Sequence, residues 1–107
     1  MNHLRMNEYQ ELAAKTAIYP ANNALPYLTL GLAAEAGEVA DKVAKYYRGD
    51  KPLDPKAVVA ELGDVLWFVA QLSMIFGMPL EQVALQNLDK LNARQQAGTL
   101  QGEGDNR

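Results

Sequence analysis

Apolar residues return at helical spacing in four stretches of this chain, each closed by a residue that stops a helix. The first stretch runs from about Met6 to Tyr19 and ends at Pro20. Pro20 to Pro26, with Asn22 and Asn23, reads as a loop, because prolines and paired asparagines favour turn geometries. The second stretch spans about Tyr27 to Tyr47, with an inward stripe of Leu28, Leu32, Val39, Val43 and Tyr46, and Gly49 just beyond it as a stop. Asp54 followed by Pro55 supplies an N-cap and a proline at the first helical position. The third helix they open runs to about Phe76, with Val58, Leu62, Val65, Val69, Leu72 and Phe76 in one stripe, and Gly77 ends it. Pro79 to about Gln96 is the fourth, with Leu80, Ala84, Leu88 and Leu91 inward. There is no useful run of period-two alternation and no internal repeat. Short connections between long helices favour antiparallel neighbours. The expected fold is therefore all-α, a four-helix bundle over residues 1–97, and the glycine-rich segment 98–107 is expected to be a disordered tail.

The third helix carries a further expectation. Its far side holds Ala60, Trp67, Gln71 and Met74, so it is apolar nearly all round, and such a helix is buried nearly all round. A chain of 107 residues is one domain but lean for a monomer. The second apolar face is expected to meet another subunit, with packing of Trp67 under the first helix or a loop as the alternative.

Against this apolar background stand two acid pairs, Glu35-x-x-Glu38 and Glu61-x-x-Asp64. Residues three apart are neighbours on a helix surface, so each pair puts two carboxylates on one side. Glu35 falls inside the core stripe and Glu38 beside it. Acids pointing toward a helical core are costly unless a positive charge sits between them. Oxygen-only ligands of this kind suit a hard cation, Mg²⁺ or alternatively Mn²⁺, which keeps waters and takes substrate phosphates as further ligands. The alternative is solvated acids paired with Lys42 or Lys45; two pairs on consecutive helices, both at the apolar stripe, weigh against it. Gly37 and Gly63 lie beside the acids, and glycine costs about 1 kcal/mol in a helix interior, which suggests a requirement for space. On the fourth helix Asn87, Lys90 and Arg94 overlap the inward side and suit a polyphosphate; snorkelling along the core edge is the alternative. Tyr9, Ala13, Thr16 and Tyr19 mark one side of the first helix and read as half-buried core. Asn22, Asn23 and Tyr27 are candidates for reading a nucleobase. Asp41 reads as a solvated acid.

Composition narrows the classes. Apolar residues make up 49% and charged residues 21%, as in a globular protein. The net charge of −3 gives no basic footprint for nucleic acid. Without cysteine there are no disulfides, thiolate zinc sites or cysteine nucleophiles, and the single His3 near the N-terminus offers no histidine triad. No secretory signal is visible, and no apolar run reaches about 18 residues without a polar break, so no membrane span is expected and a cytoplasmic location follows by default.

Three segments, taken in order, carry a resemblance: Gly31-Leu-Ala-Ala-Glu-Ala-Gly-Glu-Val-Ala-Asp41, Glu61-Leu-Gly-Asp-Val-Leu-Trp-Phe68 and Asn87-Leu-Asp-Lys-Leu-Asn-Ala-Arg94. Together they resemble the MazG-like nucleotide pyrophosphohydrolases of the all-α NTP-pyrophosphatase superfamily, whose pattern is ExxE, a spacer and ExxD. The resemblance implies that Glu35, Glu38, Glu61 and Asp64 bind Mg²⁺. It implies cleavage of a nucleoside triphosphate between the α and β phosphates, giving a nucleoside monophosphate and pyrophosphate. It further implies a homodimer or homotetramer. Phe68 stands where many relatives carry tyrosine, which puts substrate preference in question. On this reading Glu38 accepts the proton of the attacking water, while Lys90, with Arg94 or Asn87, neutralises the departing pyrophosphate. The rival from another class is a nucleotide-binding or assembly module with little or no turnover; a plain helical interaction domain is a third.

Overall fold

A computed structural model describes residues 3–107. Four α-helices follow one another: α1 (Met6–Ala14), α2 (Ala24–Arg48), α3 (Pro55–Ile75) and α4 (Leu80–Ala97), with a 3₁₀ turn at Ala21–Asn23 and no strand among the described residues. The all-α expectation holds, with two shifted boundaries. α1 stops at Ala14, well before Tyr19, where the Thr16 hydroxyl donates back to the Ala13 carbonyl at 2.7 Å. A side chain bonding its own backbone in this way competes with helix propagation. α2 begins at Ala24, ahead of Pro26. Pro26 is tolerated there because first-turn N–H groups have no intrahelical acceptor to lose.

The expected caps form. Asp54 Oδ1 accepts the Lys56 backbone N–H at 3.0 Å, with Pro55 at the first helical position. Gly49 closes α2 in the left-handed region at φ 89°, while the Asp50 N–H reaches back to the Lys45 carbonyl at 3.0 Å. That conformation is one a side chain rarely adopts.

α2 and α3 form an antiparallel hairpin, with Gly31 against Phe68 at one end and Lys42 beside Glu61 further along. α1 crosses α3 and α4 and is anchored by polar groups. The Gln10 side chain, 5% exposed, donates to the carbonyls of Ala70 at 2.9 Å and Met78 at 3.2 Å, and accepts the Leu80 N–H at 3.0 Å. Asn7 Oδ1 accepts the Glu81 N–H at 2.8 Å while the Glu81 carboxylate accepts the Asn7 N–H at 3.1 Å. Pro79 brings no side-chain cap to α4, so α1 provides the acceptors its first turn needs.

The bundle is open. α2 packs on α3, and its backbone stays more than 8 Å from those of α1 and α4, Cα to Cα. The radius of gyration is 16.6 Å, against about 13 Å for a compact domain of this length. Leu28 is fully buried, yet Leu62 and Phe76, expected inward, are 50% and 70% exposed. Tyr46, Leu88 and Leu91 are exposed too. The cause is the absence of a helix facing these positions within one chain.

Trp67 corrects another expectation. It packs on the α1 side, its indole N–H donating to the Thr16 hydroxyl at 2.8 Å and its ring meeting Tyr19 edge-on. Gln71, from the same face, is 1% exposed. Ala60 and Met74 of the same face stay exposed, so the chain itself covers only part of it. By length and composition α3 is also apolar enough to cross a membrane. It lies against the other three helices and carries Glu61 and Asp64 near its middle.

Candidate metal centre

The α2–α3 hairpin brings Glu35, Glu61 and Asp64 together: one carboxylate oxygen from each lies within 4.8 Å of the other two. Glu35 and Glu61 are half-buried and Asp64 is exposed. The antiparallel pairing makes this meeting possible, since each residue sits at the same level of its own helix. Glu38 stands outside the trio, exposed, yet near enough for its charge to act on Glu35.

Electrostatics mark the trio as short of positive charge. The Glu35 carboxyl is pushed above its ordinary value, first by a hydrogen bond with Glu61, then by desolvation, then by the charges of Asp64, Glu61 and Glu38. The Tyr9 phenol of α1 is also raised, by burial and then by the charge of Asp64. The nearest lysine ammonium to the trio is Lys42 Nζ, 3.9 Å from Glu61 Oε1. Lys45 serves Asp41 instead, at 2.7 Å one turn away, so Asp41 is the solvated acid its position suggests. No ion pair to Glu35 or Asp64 occurs among the described residues. Three converging carboxylates fit a hard dication such as Mg²⁺ or Mn²⁺ by donor type.

The glycines divide differently from expectation. A Cβ on Gly37 or Gly63 would meet nothing within 4 Å, so neither is required for space within one chain. Gly31 is. A Cβ there would lie within the Phe68 ring, 2.1 Å from Cε1. Phe68 thus packs against the α2 backbone at Gly31, one turn before Glu35. Around it Trp67 stands at 4.9 Å and Tyr27 at 5.9 Å between ring centroids, and Tyr27 stacks on Tyr19 at 5.2 Å. This aromatic cluster was not legible as a unit, because its members come from the α1–α2 connection, α2 and α3. Asn22 and Asn23 are exposed in the 3₁₀ turn beside it.

The α4 residues are engaged elsewhere. Residues 98–107 fold back along α4, and the Asp105 carboxylate receives Lys90 Nζ at 3.0 Å and the Arg94 guanidinium at 3.1 Å. Lys90 and then Arg94 hold the Asp105 carboxyl below its ordinary value. Arg94 also donates to the Asp105 carbonyl at 3.0 Å and is only 6% exposed. Asn87 is exposed. Neither Lys90 nor Arg94 pairs with the acid trio among the described residues, and the α4 backbone stays apart from that of α2.

A model of the MazG nucleotide pyrophosphohydrolase domain matches residues 25–99, from the start of α2 to the end of α4. The chain belongs to the MazG family. Both acid pairs, the Lys90–Arg94 pair and Gly31 lie inside the matched MazG segment. The chain is similar to the Gene 37 protein of Mycobacterium phage L5, 41% identical over 114 residues that cover 97% of this chain and all of that one. No solved structure matches the chain significantly.

Proposed function

We propose that this MazG-family chain hydrolyses nucleoside or deoxynucleoside triphosphates between the α and β phosphates, in a Mg²⁺-dependent reaction yielding the monophosphate and pyrophosphate. The observation that carries the reading is the trio Glu35, Glu61 and Asp64, whose carboxylate oxygens converge within 4.8 Å with no ion pair to Glu35 or Asp64 among the described residues. A Mg²⁺ ion held there would supply Lewis acidity to the phosphate oxygens and make the attacking water more acidic. Glu38, outside the trio, is free to take the water's proton. The aromatic cluster one turn from the acids, with Tyr27 47% exposed, offers the nucleobase a stacking surface. Asn87, Lys90 and Arg94 enter only where an anion displaces Asp105. The exposed apolar positions on α3 and α4 support a homodimer or homotetramer.

The test is product analysis on a panel of triphosphates. Glu61→Gln is expected to lose at least about a hundredfold in kcat with its circular-dichroism melt preserved, and the wild type to release pyrophosphate, not orthophosphate. Wild-type turnover by Glu61→Gln would remove the metal assignment. Nucleotide binding without product would favour the binding module instead.

A further inference from the structure

Where α2 turns into α3 lies a cavity of about 210 Å³, linked to the acid trio through Lys42, whose Nζ stands 3.9 Å from Glu61 Oε1. It is lined by Lys42, Lys45, Lys51, Asp41, Asp54 and Leu53, among others. Three ammonium groups face two carboxylates, and both carboxylates are already engaged. Asp41 holds Lys45 at 2.7 Å. Asp54 accepts the Lys56 backbone N–H as the α3 cap, at 3.0 Å. Lys51 has no carboxylate partner among the described residues. Lys42 has only Glu61, at 3.9 Å, the margin of an ion pair. Two cations with unused donors therefore border one cavity, and the first turn of α3 adds its positive dipole end.

The order of features along the hairpin gives the cavity its meaning. On α2, Gly31 with its aromatic cover comes first, Glu35 follows one turn on, and Lys42 about 10 Å further. On α3 the same order runs backwards, from Phe68 through Asp64 and Glu61 to Ala57 at the cavity wall. Along the hairpin the order is thus aromatic, acidic, basic. The α4 cations lie on a helix whose backbone stays apart from that of α2, and they are already neutralised by Asp105.

We propose that the cavity at the α2–α3 turn, through Lys42 and Lys51, is the subsite for the leaving pyrophosphate, the β and γ phosphates of the substrate. This rests on the reaction proposed above and gives the substrate a direction: base toward Tyr27 and Phe68, terminal phosphates toward Lys51. The ammonium of Lys42, beside Glu61, meets the bridging region where charge develops as the α–β bond breaks. Lys51 holds the far phosphate. The P–O bond electrons leave with pyrophosphate, and the oxygen of water replaces that oxygen on the α phosphorus.

The experiment is calorimetric titration of the full chain with inorganic pyrophosphate in Mg²⁺, alongside steady-state kinetics. Lys42→Met/Lys51→Met is expected to lose at least about tenfold in pyrophosphate affinity and to raise KM for triphosphate by a similar factor, since charge-assisted hydrogen bonds are lost. Lys56→Met, which removes one positive charge from the neighbouring surface, is expected to stay within about twofold of wild type. Lys42→Arg/Lys51→Arg is expected to restore most of the affinity, and it serves as the readout should the methionine variant fail to fold. Wild-type affinity in the methionine variant, or a loss that follows Lys90→Met instead, overturns the subsite. Should wild type release pyrophosphate while the double variant binds it normally, only the subsite falls. Should wild type release none yet bind pyrophosphate through these lysines, the reaction falls and the anion site stands.

Discussion

Gly31 and Gly63 look alike in the sequence, each small and mid-helix near an acid, yet their surroundings are opposite. Phe68 occupies the space a Cβ would need at Gly31, while nothing approaches Gly63. Gly31→Ala is expected to cost about 1–3 kcal/mol by forcing the ring or the helices apart. Gly63→Ala is expected to stabilise by roughly 1 kcal/mol, from helix propensity alone. Urea denaturation of both variants measures this, and a destabilised Gly63→Ala would show that another chain packs on that face. Glu35 sets a pH dependence. Its folded pKa lies above the ordinary value, so the folded state binds the proton more tightly. Its stabilising contribution is complete below the ordinary carboxylate pKa and is lost as pH rises through the raised one. A dication reverses this by favouring the ionised form. Melting temperatures with Mg²⁺ minus those without are expected to grow with pH across that window, and to stay flat in Glu35→Gln.

Helix boundaries separate what local sequence encodes from what it does not. Asp54-Pro55, Gly49 and Gly77 are visible as punctuation because a cap is a property of adjacent residues, and all three act as expected. The early end of α1 was not legible, since apolar spacing continues through Tyr19 while the helix stops at Ala14. The capping of α4 was hidden more deeply. Its acceptors are Asn7 and Gln10, some seventy residues away, both of which read as ordinary polar positions of a short helix. Gln10→Ala would leave the Leu80 N–H without its acceptor and the Ala70 and Met78 carbonyls without their Gln10 donor. A loss of about 1–3 kcal/mol is expected, seen as a lower midpoint in denaturant. A variant of unchanged stability would mean that water replaces the side chain.

At the scale of the molecule, a periodic stripe promises an apolar neighbour without saying which chain supplies it. The α2 backbone approaches one α-helix only, and Phe76 and Leu88 project from stripes that no element of the same chain covers. Phe76→Glu is expected to lower the mass measured by light scattering toward that of a single chain, and to do so without unfolding it. A wild type that is already monomeric in solution at micromolar concentration would end the oligomer proposal.

By itself the sequence determined four helices, most of their ends, and two acid pairs set three residues apart on apolar faces, because helical geometry follows from neighbours along the chain. The tertiary structure alone decided that Glu35, Glu61 and Asp64 converge while Glu38 stands aside, that Phe68 needs Gly31, and that Lys90 and Arg94 face Asp105. Those outcomes depend on distances between helices, which are set by packing and by hydrogen bonds between residues far apart in the chain, and no spacing rule within one helix carries that information.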